Sequence, residues 1–115
     1  MSDSPAPGKT TVAPTVLLSV ARLTTLQVKG VAGLSPHPAG LNTLLQRNAH
    51  MVDGVRVKLT NGHVHIDLYV ILKDGVNFRQ VSQEIQKQVA RAITEMVGLE
   101  AKQINVHIED ISFTE

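Results

Sequence analysis

The sequence predicts an α+β domain: a two-layer sandwich in which one mixed sheet of three to four strands carries two long helices on one face. The predicted element order is (β)-α-β-β-α-β. Three observations lead there. Residues 55–72 alternate apolar and polar side chains around Asn61-Gly62, the strongest short hairpin signal. Residues 77–97 repeat apolar positions at helical spacing. Ile104, Val106 and Ile108 alternate with Asn105, His107 and Glu109, as a half-buried strand does.

The elements follow in chain order. Residues 1–7 are small, polar and proline-containing, and cannot bury enough apolar surface to offset their ordering entropy, so a disordered tail is expected there. Residues 8–115 are then a single domain. Lys9-Thr10-Thr11-Val12 is β-prone and suits a short edge strand. Pro14 fits the first turn of a helix, where its missing N–H costs nothing. Leu17, Val20, Ala21, Thr24 and Val28 follow at helical spacing, which predicts a helix over 15–29 capped by Gly30. Two prolines bracket His37 in a loop over 35–40, and a weak period in Leu41, Leu44, Leu45, Asn48 and Ala49 suggests a short helix over 40–49.

Strands over 55–60 and 63–72 form the hairpin, and Lys73-Asp74-Gly75 is a turn. Asn77 with Gln80 three residues on is a capping-box pair. Phe78, Val81, Ile85, Val89, Ala92, Ile93 and Met96 then fall on one stripe roughly 120° wide. Gly98 closes this helix over 77–97. The last strand runs from Ile104, and Ile111 and Phe113 extend it past an irregularity at Asp110. Strand 63–72, helix 77–97 and the last strand make a β-α-β unit, whose right-handed crossover sets those two strands parallel.

Composition bounds the function. The chain has 115 residues, 11 Lys plus Arg against 10 Asp plus Glu, and no cysteine. That length suits one core without metal or disulfide staples. The missing cysteines exclude thiolate zinc sites, iron–sulfur clusters and a cysteine nucleophile. The net charge of +1 argues against strong non-specific DNA binding. Three aromatics (Tyr69, Phe78 and Phe113) are too few and too scattered for a base-stacking platform. Arg22 and the threonines beside the apolar run at 16–21 spoil any membrane span, and Met1 to Pro7 carries no basic residue for a signal segment. A cytoplasmic location is expected.

Few constellations point to chemistry. There is no phosphate loop, no G-x-G-x-x-G and no G-x-S-x-G elbow. We therefore expect no enzymatic activity and no cofactor. His63, His65 and Asp67 share one sheet face, and His107 and Glu109 are placed to join it. Imidazole and carboxylate suit zinc or nickel, but no ligand-spacing motif is present, and no metal is expected. With Tyr69, and beside Arg56, Lys58 and Ile71, these residues form the candidate partner-binding face: His63, His65, Asp67, Tyr69, His107 and Glu109. Gly30-Val31-Ala32-Gly33 matches the bare G-x-x-G of KH domains, so a KH-like RNA-binding module is the alternative. The absence of a basic residue inside that loop weighs against it, and there is no strong nucleic-acid signal.

Several segments together resemble the bacterial alkaline-shock, or envelope-stress-response, family of small cytoplasmic α+β proteins. They are Val28-Lys29-Gly30-Val31-Ala32-Gly33-Leu34-Ser35, Gly54 to Leu59 with Val64 to Val70, Gly75 to Val81 leading into Ile85 to Val89, and Met96 to Glu100 with Ile104 to Ile111. The resemblance runs from about Gly8 to Phe113. It implies a non-enzymatic scaffold or adaptor in envelope or alkaline stress, working through protein–protein contacts. It further implies a protein partner that can be membrane-anchored, peripheral placement at the inner membrane face through that partner, homo-oligomers, and no direct membrane insertion. The family often has Tyr-Gly before the second long helix, where this chain has Asp74-Gly75, and segment 35–53 carries no clear family pattern.

Overall fold

The computed structural model describes residues 12–36, 49–60 and 62–113. Helix α1 spans Pro14–Gln27, strands β1 to β4 span Val31–Leu34, Ala49–Val52, Val55–Thr60 and His63–Lys73, helix α2 spans Phe78–Ala92 and strand β5 spans Glu100–Ser112. The fold is the expected α+β sandwich with a mixed sheet. β3 and β4 pair antiparallel, and β4 and β5 pair parallel across the α2 crossover. Strands β1 and β2 are additions that the sequence pattern does not announce. The edge strand at Lys9–Val12 and the helix over 40–49 fall largely outside the described residues, and Ala49 begins β2.

β4 organises the sheet. One of its edges carries β5 along its whole length. The other is shared end to end: β3 pairs with His63 to Leu68, and β1 pairs with Val70 to Leu72. β2 continues the sheet beyond β3. At the seam between β3 and β1, the Tyr69 N–H donates to the Gly54 carbonyl and the Ser35 N–H donates to the Tyr69 carbonyl, both at 2.8 Å. The backbone of the central strand is thus served where its neighbours change over. Asp53 (φ 42°) and Gly54 (φ 82°) form the tight turn of the β2–β3 hairpin, whose two left-handed residues match the strand twist. Gly54 is also tightly enclosed: a Cβ there would lie 2.6 Å from the Ser35 carbonyl oxygen and 2.9 Å from that of Tyr69.

The alternation of β4 sorts its side chains. Val64, Ile66, Leu68, Val70 and Leu72 are buried under the helices, with Val55 and Val57 of β3. α1 covers them with Leu17, Leu18 and Ala21, and α2 with Val81, Ile85 and Val89, followed by Ile93. The Thr25 hydroxyl, fully buried, donates to the Ala21 carbonyl at 2.7 Å and so enters the core satisfied. Asn77 caps α2 as expected, accepting from the Gln80 N–H at 3.0 Å.

The end of α1 and the last turn of the second helix differ from expectation, while Gly98 closes the second helix as expected. α1 stops at Gln27 because Val28 turns extended (φ −72°, ψ 132°) and buries its side chain. Gly30 (φ 101°) is therefore not the cap. It forms the turn into β1, where its carbonyl accepts from Lys73 N–H at 2.9 Å and α2 packs so close that a Cβ would meet Val81 at 2.8 Å. The second helix changes at Ile93 to a π turn, Ile93–Val97, ended by left-handed Gly98. A π turn takes an extra residue and shifts the helical phase. Met96 accordingly leaves the expected core stripe and is 75 % exposed, while Val97 packs against the core.

Candidate functional site

The sheet face opposite the helices carries an ordered polar network. Strand alternation aims Asp67 and Tyr69 of β4 away from the core, and the register sets Arg56 of β3 and Asn105 of β5 beside Asp67, and His107 beside Tyr69. The Asp67 carboxylate sits at the centre. One oxygen accepts from Arg56 Nη1 at 2.7 Å. The other accepts from Asn105 Nδ2 at 3.1 Å and lies 3.0 Å from His107 Nε2. Gln103 Nε2 donates on to Asn105 at 3.3 Å. The His107 ring stacks on Tyr69, centroids 4.6 Å apart and planes 12° from parallel. Asp67 and Arg56 side chains are only 15 % and 18 % exposed, although α1 and α2 pack on the opposite side of the sheet.

The electrostatics follow from this packing. Burial pushes the Asp67 pKa up, but hydrogen bonds from His107 and Asn105 and the charges of Arg56 and His107 outweigh it. The net shift is downward. Asp67 therefore stays ionised to lower pH than an ordinary aspartate. Tyr69 moves the other way: burial comes first, Asp67 and Glu109 repel its phenolate, and Arg56 only partly offsets them. Its hydroxyl keeps its proton above the usual tyrosine range.

Of the six residues expected on this face, Asp67, Tyr69 and His107 form one contact cluster. Glu109 is close enough to raise the Tyr69 pKa. It is the extra residue of a bulge, since Val70 faces Ile108 and Ile71 faces Asp110. His63 lies away from the cluster, at the far end of β4, with Nδ1 3.7 Å from Glu100. His65 sits between Lys58 and Gln103 in the register. Arg56, expected only beside the site, and Asn105, not expected in it, are both integral to the network. Their signal is present in the alternation, but pairing them with Asp67 needs the register between three strands. Among the described residues no group of three His, Asp or Glu side chains is placed to hold a metal ion. The Gly30–Gly33 segment joins a helix to strand β1 and not a helix to a helix, so it lacks the setting of a KH loop. A shallow groove of about 610 Å³ between the α2 N-terminus and the end of α1 is lined by Lys29, Asn77, Gln80 and Lys87 among others. No helix among the described residues is long and apolar enough to cross a membrane.

Fold and face together define a two-layer α+β domain whose sheet has one helix-covered side and one ordered polar side. The chain belongs to the alkaline-shock protein family, described as having a cell envelope-related function, whose model matches residues 2–113. The uncharacterized protein YqhY of Bacillus subtilis is 30 % identical over 107 residues, covering 92 % of this chain and 78 % of YqhY. The uncharacterized protein Spy1535 of Streptococcus pyogenes is 32 % identical over 105 residues, covering 90 % and 79 %. Among solved structures, a variant of MamM CTD superposes with TM-score 0.58 at 13 % identity, over 84 % of this chain and 94 % of that one. A manganese form of MamM CTD gives TM-score 0.52 at 13 % identity, over 85 % and 99 %. The likeness to MamM CTD is one of fold.

Proposed function

We propose that this protein is a non-enzymatic scaffold or adaptor of the envelope stress response, and that it binds a protein partner through the open sheet face. The observation that carries the reading is the Asp67 network. A face left to solvent has no need of a nearly buried ion pair, a doubly hydrogen-bonded carboxylate and a stacked Tyr–His pair. Held this way, the side chains lose little further entropy on binding, and the surface is pre-organised for a partner. Exposed Lys58 and partly exposed His65 flank the locked centre as adaptable contacts. The family description, cell envelope-related, supports the cellular setting. A membrane-anchored partner would place the protein at the inner face of the membrane without any insertion of its own.

Crosslinking and affinity purification from the native cell test this. The expected result is a membrane-fraction protein whose recovery falls with Lys58→Glu or His107→Ala and survives changes on the helical layer, such as Arg91→Ala. Recovery unaffected by either face variant, or recovery of RNA in place of protein, refutes it.

A further inference from the structure

β5 closes one side of the sheet, and among the described residues the strand paired with it is β4. Its other edge extends along a 13-residue strand. Such an edge recruits another strand unless charges, prolines or bulges blunt it. Here those devices sit near the ends. The register shifts leave Lys102 and Glu109 as the extra residues, and Gln103 to Ile108 runs regularly between them without a carboxylate, lysine or arginine.

We propose that this edge pairs antiparallel with the β5 edge of a second copy of the chain, about a two-fold axis at Val106. An axis perpendicular to the sheet keeps both helical layers on one side. Opposed residues in an antiparallel ladder share a face, so the axis must then pass through a residue pair and not between two. Centring on Val106 sets Ile104 against Ile108. Carried outward, it sets Lys102 against Asp110 and Leu99 against Phe113. Phe113 is 72 % exposed and Ile108 38 %, while Leu99, Ile104 and Val106 are half-buried. The pairing thus withdraws apolar side chains from water and matches opposite charges in the same register. Adjacent registers lose the match: centring on Asn105 puts Glu100 against Asp110, and centring on His107 puts Lys102 against Ser112. Gln86 Nε2, which donates to the Ile104 carbonyl at 3.0 Å, is on an exposed side chain that can yield to a strand. The pairing would join the two open faces into one and bring the two Asp67 networks onto a continuous surface. It stands independently of the proposed partner, because its test reads self-association alone.

The test is sedimentation equilibrium of the full chain at micromolar concentrations, with circular dichroism confirming that each variant is folded. The expected mass is twice the 12.4 kDa of one chain. Lys102→Asp and Asp110→Lys should each weaken association on the order of ten-fold, since each sets two like-charge pairs opposite one another. The double exchange should restore it. In this cysteine-free chain, Val106→Cys should give an oxidised dimer, as opposed Cα atoms in a ladder lie within disulfide reach. Leu23→Cys, on the outer face of α1, should not. A monomer at every concentration, a dimer indifferent to both charge changes, a double exchange that fails to restore association, or preferential crosslinking through Leu23→Cys overturns the proposal.

Discussion

Gly54→Ala separates two effects that are usually confounded. Gly54, Gly62 and Gly75 have nearly the same φ, at 82°, 79° and 85°. An alanine at any of them takes on the cost of a left-handed conformation, about 1–2 kcal/mol. Their surroundings differ. A Cβ at Gly62 or Gly75 would meet nothing within 4 Å, whereas at Gly54 it would lie 2.6 Å and 2.9 Å from two backbone oxygens. Backbone cannot rotate aside as a side-chain tip can. Relief must come by parting Gly54 from Ser35 and Tyr69, which stretches the 2.8 Å hydrogen bond from the Tyr69 N–H to the Gly54 carbonyl. That bond is worth about 1 kcal/mol. Gly54→Ala should therefore cost about 2–3 kcal/mol, against about 1–2 kcal/mol for Gly75→Ala. Urea denaturation monitored by far-ultraviolet circular dichroism measures both. A difference of about 1 kcal/mol is resolvable against a total stability of roughly 5–15 kcal/mol. Equal costs for the two variants would refute the argument that the seam is tightly packed.

Three further outcomes follow from single contacts. Asn77→Ala removes the side-chain acceptor at the α2 N-terminus and should cost about 1 kcal/mol by the same denaturation assay, with Asn77→Gly costing only a few tenths. Asp67 has a lowered pKa in the folded protein, so its contribution is complete above the unfolded carboxyl value near about 4 and is lost as pH falls through the folded value. Urea midpoints of wild type and Asp67→Asn should accordingly converge as the pH drops into that range, and a constant gap would contradict the assignment. Tyr69 is the only tyrosine and there is no tryptophan, so ultraviolet titration of phenolate reports it alone. Its raised pKa means stability present below the unfolded value near about 10 and lost as pH rises through the folded one. The midpoint should exceed that of free tyrosine and fall in Glu109→Gln.

What is legible in the sequence is whatever strict periodicity encodes. The 63–73 strand and its hairpin partner carry sustained alternation, so both the elements and their buried faces are readable. The Val81, Ile85 and Val89 row does the same for α2. β1 and β2 escape because four residues are too few for a period: Val31-Ala32-Gly33-Leu34 reads as a turn, and Ala49 completes a weak helical pattern. They are strands because β4 and β3 offer them free edges, a tertiary cause. The π turn has no sequence period either, which is why helical spacing assigns Met96 to the core. For the face, alternation identifies which side chains emerge. It cannot show that Asp67 gathers Arg56 and Asn105, because those lie 11 and 38 residues away along the chain and meet it only through register.

The network on the open face is better explained by presentation than by folding. Exposed ion pairs contribute a median of about 0–1 kcal/mol, and taking Arg56 and Asp67 largely out of water adds a desolvation cost that their attraction barely offsets. Apolar residues of similar volume would serve stability as well. What the network does supply is a fixed geometry. The two oxygens of Asp67 are committed to different strands, which ties β3, β4 and β5 together at one level and fixes the tilt of the Tyr69–His107 stack. An apolar replacement of the Arg56–Asp67 pair should thus leave denaturation midpoints nearly unchanged while weakening partner recovery. That dissociation of stability from binding is what the adaptor reading requires, and a variant that lost both together would return the network to a purely structural role.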